Sequence, residues 1–166
     1  MLNSLIYGVA TVETHTQGRW QFRLSMKRAS ILIVDNNRIF RRATTSFLQH
    51  NHSDEVVIVG TATESKEALS QAKVLQPQVV LVELCMPGLG GVDFIPRLRM
   101  LVPETRIIAL TLLDVSGYRH SALAAGADDF LSKTRLDTDL LPAIRRLVPP
   151  GEHFDESQGN YVQITR

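Results

Sequence analysis

Four polar side chains close short apolar runs in this sequence. Asp35 follows Ile31-Leu32-Ile33-Val34, and Glu83 follows Val79-Val80-Leu81-Val82. Thr111 ends the run from Arg106, and Lys133 follows Asp129-Phe130-Leu131-Ser132. Short apolar runs bounded by polar or turn residues read as buried strands. Each of the four therefore stands at the carboxyl end of a strand, where open α/β sheets place their ligand sites. Plainer readings stand beside these. Thr111 also suits an ordinary β-branched strand end, Lys133 a solvated loop, and Asn36-Asn37 a turn and helix N-cap.

The elements that must position these groups alternate along the chain. Five strands are expected, at Ile31–Val34, Val56–Val59, Val79–Val82, Arg106–Leu110 and Asp129–Leu131. They are continuous apolar runs, which suit a parallel sheet covered on both faces. Helical faces lie between and after them. Ile39, Ala43, Phe47 and Leu48 share one face, then Ala68, Leu69, Ala72 and Leu75, then Phe94, Ile95, Leu98 and Leu101. Val115 to Ala125 is Ala-rich and Gly126 fits a left-handed C-cap. Leu140, Leu141, Ile144 and Leu147 form the last face, stopped by Pro149-Pro150-Gly151. Five βα units give an α/β, doubly wound, five-stranded parallel sheet with helices on both faces.

Composition is that of a soluble globular chain: 166 residues, 44% hydrophobic and 21% charged. No apolar run approaches the roughly 18 residues of a membrane span, and no signal peptide is expected. The single cysteine, Cys85, leaves no internal disulfide and fits a reducing cytoplasm. The net charge of +1 gives no reason to expect nucleic-acid binding. Charge is unevenly spread: Met1–Arg28 carries +3, Pro150–Arg166 carries −2, and the middle is neutral. His15, His50, His52, His120 and His153 lack metal-ligand spacing, and His50 and His52 are expected in the loop after the first helix.

Four segments carry a family resemblance: Ile31 to Asn36, Val79 to Val92 with Met86-Pro87-Gly88, Ile107 to Thr111, and ALAAGADDFLSK from Ala122 to Lys133. In this order and spacing they resemble a response-regulator receiver domain of bacterial two-component signalling, over about 30–148. The late segments are most similar to receivers that precede LuxR-type (NarL-like) DNA-binding helices; no such effector is expected here. The resemblance implies a flavodoxin-like (CheY-like) three-layer sandwich. The domains expected are an N-terminal extension, 1–28, a receiver, 29–149, and a C-terminal tail, 150–166. Trp20 to Met26 alternates strictly and Tyr161 to Thr165 has strand composition. The oppositely charged ends are therefore expected either to pair or to be disordered tails.

The resemblance also assigns roles. Asp35 and Asn36 match the acidic pair that helps bind Mg²⁺, but Asn36 is neutral, which weakens a hard-cation site. The backbone carbonyl of Cys85 matches a main-chain metal ligand, and Asp35, Glu83 and Cys85 are the metal positions, weak or absent. Glu83 stands where the family has a phosphoacceptor Asp. The added methylene moves the carboxylate by roughly 1.5 Å, and such misplacement can cost about 100-fold in transfer. Glu83 would then either imitate the phosphorylated state weakly, with one charge against roughly two on a phosphate, or be a vestige paired with Lys133. Thr111 and Lys133 match the phosphate-binding hydroxyl and ammonium. Phe130 matches the aromatic switch and, lacking a hydroxyl, should favour a buried rotamer. Pro87 and Gly88 shape the site loop; Gly90 replaces an Asp common in the family, and Gly91 fits the next turn position.

The leading reading is a stand-alone receiver that is independent of phosphorylation or constitutively biased, acting through protein–protein contacts rather than as an enzyme. The surfaces expected for a protein partner or a second copy are the fourth helix, fifth strand and fifth helix, or the first and fifth helices. A histidine kinase is among the partners implied; nucleic acid and membrane are not. The alternative is a phosphorelay receiver with weak Mg²⁺-dependent chemistry on Glu83.

Overall fold

The computed structural model describes residues 11–13, 21–23, 28–86, 91–112, 116–149, 153–155 and 160–162. The chain divides into two units, one spanning Arg28–Pro149 and one drawn from Met1–Lys27 and Pro150–Arg166. In the latter, β1 (Thr11–Glu13) pairs antiparallel with β2 (Gln21–Arg23), and β8 (His153–Asp155) with β9 (Asn160–Val162). Each of these strands takes its partner from its own end of the chain.

The larger unit holds a five-stranded parallel sheet of β3 (Ala29–Val34), β4 (Val56–Ala62), β5 (Val79–Glu83), β6 (Arg106–Thr111) and β7 (Asp129–Ser132). Its order is β4-β3-β5-β6-β7, so the chain reverses direction of growth after β4. The helices are α1 (Arg38–Asn51), α2 (Ser65–Leu75), α3 (Gly91–Leu101), α4 (Ser116–Ala124) and α5 (Leu136–Leu147), the last preceded by a 3₁₀ turn at Lys133–Arg135.

Side-chain alternation sorts the core into two layers. Leu32, Val34, Val80, Val82 and Ile107 face α2, α3 and α4, where they meet Ala68, Ala72, Phe94, Ile95, Leu98 and Ala122. Ile31, Ile33, Val79, Leu81 and Ile108 face α1 and α5, against Leu48, Leu136, Leu140, Leu141 and Ile144. Burial on both faces is why the strands read as unbroken apolar runs rather than as alternating ones.

Local chemistry fixes the ends. Asn37 caps α1, its Oδ1 accepting the N–H groups of Ile39 (2.9 Å) and Phe40 (3.1 Å). Gly126 has φ +106° and closes α4, a conformation that costs a glycine little. Gly60 allows α2 to approach β4, because a Cβ there would lie 2.4 Å from Gln71 Oε1 and 2.9 Å from Leu75 Cδ1.

Three expectations are corrected. Ile39 is 81% exposed and Ala43 is exposed, so α1 buries only the Phe47 and Leu48 half of the face proposed for it. Its inward row is Phe40, Thr44, Phe47 and Leu48, so the first two positions are displaced by one residue and the last two stand as expected. The cap at Asn37 starts the helix so that Ile39 overhangs solvent in the first turn, while small Thr44 is tolerated in the core. His50 lies within α1 rather than in a loop, its Nδ1 2.9 Å from the Ser46 carbonyl oxygen, and half-buried His52 caps the helix with its ring edge-on to Phe47. Leu75 on α2 is only partly covered, at 38% exposure.

Candidate functional site

The parallel strands bring their carboxyl ends to one edge, and Asp35, Glu83, Thr111 and Lys133 converge there. Asp35 directly follows β3, its N–H bonded to the Ala62 carbonyl at 3.0 Å. Glu83 is the last residue of β5, and Leu84 donates its N–H to the Leu110 carbonyl at 2.9 Å, tying the following turn to β6. Thr111 ends β6, and Lys133 opens the 3₁₀ turn directly after β7.

The Lys133 ammonium forms ion pairs with both Asp35 Oδ2 and Glu83 Oε2. All three side chains are buried, Lys133 being only 3% exposed, so the solvated-loop reading of this lysine fails. The two remaining carboxylate oxygens are occupied by backbone donors. Asp35 Oδ1 accepts the Asn37 N–H at 2.7 Å, and Glu83 Oε1 accepts the Cys85 N–H at 2.8 Å. Each carboxylate thus bonds the backbone two residues on, a tight local turn at each strand end. Buried charges persist where they are paired and hydrogen-bonded, as these are. With both carboxylates ionised, the trio carries a net charge of −1.

The Phe40 ring lies beneath the ammonium, Nζ being 4.0 Å from the ring centroid. A cation at that distance is attracted to the ring face, more strongly when desolvated. Arg41 donates from Nη1 to the Asp35 carbonyl and so tethers α1 to the end of β3. Neither residue was picked out from the sequence. Ile39 and Phe40 are both apolar and adjacent, so no local signal in the sequence told them apart.

Other expected residues take different places. Asn36 is exposed, and Asn37 is the helix cap. Cys85 is an exposed free thiol whose Sγ lies 3.8 Å from the buried Thr111 Oγ1. Phe130 is buried on β7, away from the ion-paired trio but in the layer beneath α4. Arg119 of α4 lies over it, with its guanidinium carbon 5.8 Å from the ring centroid and Nη1 bonded to the Phe130 carbonyl at 3.1 Å. Pro87, Gly88, Gly90 and Val115 lie outside the described residues, and nothing is described of the side-chain environment at Gly91. Among the described residues no group of three or more His, Cys, Asp or Glu side chains is placed to hold a metal ion. No helix among them is long and apolar enough to cross a membrane.

The fold has many counterparts among solved structures. The model of the response regulator receiver domain matches residues 31–145. Response regulator GacA of Pseudomonas viridiflava is 30% identical over 128 residues, 77% of this chain and 58% of that protein. Protein-glutamate methylesterase/protein-glutamine glutaminase 3 of Pseudomonas syringae pv. syringae is 36% identical over 114 residues, 68% of this chain and 29% of that protein. The chain therefore spans less than two thirds of the length of these curated relatives. Among solved structures, the signal receiver domain of the response regulator NarL from Mycobacterium tuberculosis superposes with a TM-score of 0.67 at 26% identity, covering 72% of this chain and 95% of that one. Chemotaxis protein CheY4 of Vibrio cholerae gives a TM-score of 0.65 at 26% identity, covering 74% and 100%. The chain belongs to the response regulator receiver domain family of two-component signalling.

Proposed function

We propose that this receiver works without phosphorylation, held in one state by an internal ion pair, and signals by contact with protein partners. The observation that supports this most directly is the Lys133 ammonium shared by Glu83 and Asp35. The lysine that would meet an incoming phosphoryl group is already neutralised, and by the residue at the acceptor position.

Receiver domains bind Mg²⁺ at an acidic pocket, and Asp35, Glu83 and the Cys85 carbonyl would be the ligands here. These residues do not fit Mg²⁺ as they stand. All four carboxylate oxygens have donors, the ammonium lies between the two side chains, and Asn36 adds no charge. Mg²⁺ demands near-octahedral oxygen donors and gives up its water reluctantly. Binding it would require Lys133 to leave a buried position in which two carboxylates and an aromatic face hold it. Phosphoryl transfer to a carboxylate depends on metal neutralisation and on position, and both are compromised.

Burial of Phe130 supports a fixed state too. Matched to the family's aromatic switch, it is inward, with no hydroxyl to draw it to the surface and Arg119 closing over it. Glu83 then serves as a built-in counter-ion rather than an acceptor.

The test is intact-mass measurement after incubation with acetyl phosphate and Mg²⁺. The protein as it stands should gain no phosphoryl adduct, and Glu83→Asp should gain one. An adduct on the unaltered protein that disappears in Glu83→Gln would establish the phosphorelay reading instead. No adduct on either protein would place the block at Asn36 and the metal site, leaving phosphorylation-independent binding in force.

A further inference from the structure

Each end of the chain carries a two-stranded hairpin, a unit that is marginal in water when alone and gains stability by laying an apolar face on a partner. The strand register gives each hairpin such a face. Val12 of β1 stands opposite Phe22 of β2, between the polar pairs Thr11–Arg23 and Glu13–Gln21. Phe154 of β8 stands opposite Tyr161 of β9, between the pairs His153–Val162 and Asp155–Asn160. Neighbouring positions on a strand alternate between its two faces. Positions 12 and 22 therefore share one face of the first hairpin, and positions 154 and 161 share one face of the second. Each of these faces holds an apolar cross-strand pair, and the reverse faces are polar apart from Val162.

The chain enters and leaves the receiver at one place. Ala29, which opens β3, donates its N–H to the Glu55 carbonyl at 2.8 Å, and Arg145, in the last turn of α5, makes two 2.7 Å bonds to the Glu55 carboxylate. Five residues separate β2 from β3, and five separate α5 from β8, each a reach of at most roughly 17 Å. Tethers that short hold two segments at effective concentrations on the order of millimolar. The charges also match, since Met1–Arg28 carries +3 and Pro150–Arg166 carries −2. Both ends fall in one compact unit. The hairpins form separate sheets, so they do not meet edge to edge.

We propose that the two terminal hairpins pack face to face, positions 12 and 22 against positions 154 and 161, and clasp the ends of the chain into one β unit. Sheets stacked in this way lie about 10 Å apart and cover each other's inner faces. Two apolar pairs then leave water together, which neither hairpin achieves alone. Charge selects the pairing, because two N-terminal hairpins repel each other and so do two C-terminal ones. Exchange of hairpins between two copies satisfies the same faces, but the short tethers and the shared exit favour the partner on the same chain. The clasp ties the approach to β3 to the exit from α5.

The experiment is amide hydrogen exchange on the isotope-labelled full chain, with and without the double change Phe154→Ser, Tyr161→Ser in the second hairpin. The amides of 11–13 and 21–23 should exchange roughly tenfold faster in that variant, although no substitution lies in their own hairpin. Val12→Ser, Phe22→Ser should have the same effect on 153–155 and 160–162. Val162→Ser, on the reverse face, should leave 11–13 and 21–23 unchanged, which separates the packed face from general damage to the second hairpin. Amides of the receiver sheet should be unaffected in every variant and so report an intact fold. A first hairpin that ignores Phe154→Ser, Tyr161→Ser, or responds equally to Val162→Ser, would overturn the proposal. So would unprotected amides in both hairpins of the unaltered chain. Protection that grows with protein concentration would overturn it in favour of exchange between copies.

Discussion

The two edges of the sheet handle charge in opposite ways. At the carboxyl edge one ammonium serves two carboxylates, all of them buried. At the amino edge one carboxylate serves two guanidinium groups near solvent: Asp128 bonds Arg99 at 2.5 Å and has Arg106 at 3.5 Å, with Arg106 half exposed. The amino-edge arginine also fastens backbone. Arg99 donates to the carbonyls of Pro103 (2.9 Å), Thr105 (2.6 Å) and Gly126 (3.0 Å), and Asp128 accepts the Ile107 N–H at 2.7 Å. That cluster joins the end of α3, the start of β6 and the loop before β7, and stability accounts for it. The carboxyl-edge trio joins three strand ends but crowds two like charges around one cation in a water-poor place. An arrangement that costs desolvation and leaves a net negative charge is expected where function, not stability, sets the residues.

Removing the shared cation should break this comparison most sharply. Lys133→Met leaves two buried carboxylates without a counter-ion, and should lower unfolding free energy by about 3–5 kcal/mol in urea titration. At the amino edge, Arg99→Ala should cost about 2 kcal/mol by the same measurement. It orphans three carbonyls, but Asp128 keeps Arg106 and the Ile107 N–H, and water can reach the gap. The Arg99 change should also leave acetyl phosphate labelling of a Glu83→Asp background unaltered, whereas Lys133→Met should reduce it.

Glu83→Gln comes next. It keeps the shape and an acceptor for the Cys85 N–H, and leaves Lys133 paired one to one with Asp35. The expected loss is about 1–2 kcal/mol, less than for Lys133→Met; a loss as large would mean that Glu83 rather than Asp35 is the main counter-ion. The smallest effect is expected at the surface. Arg145 makes two 2.7 Å bonds to Glu55, a hydrogen bond that raises its already high guanidinium pKa, but the arginine is half exposed. Arg145→Ala should cost under about 1 kcal/mol and less in high salt, as screened surface pairs do.

Much of the fold was legible because its strands are short apolar runs and its helices keep a 3.6-residue period. Four of the five central strands begin at the expected residues, Val56, Val79, Arg106 and Asp129, and β3 begins two residues before Ile31. The exception among the helices is instructive. In α1 two phases fit the pattern nearly equally, since Ile39 and Phe40 are both apolar and Thr44 is polar. Only packing against the core decides that Phe40 and Thr44 go inward. Asn37 shows the reverse: its side chain is local in action, so its reading as a cap needed nothing beyond the sequence.

For the site, the sequence alone determined which groups reach the carboxyl edge. Strand ends are local features, and parallel topology carries every one of them to the same side, so Asp35, Glu83, Thr111 and Lys133 follow from run lengths. Tertiary structure decided how their charges are shared. Lys133 is 98 residues from Asp35, and whether its ammonium serves one carboxylate or two depends on strand spacing, side-chain reach and the exclusion of water. The same holds for Phe40 beneath the ammonium. Local sequence sets backbone propensity over a few residues, whereas charge pairing is a through-space choice among all partners that folding brings within reach.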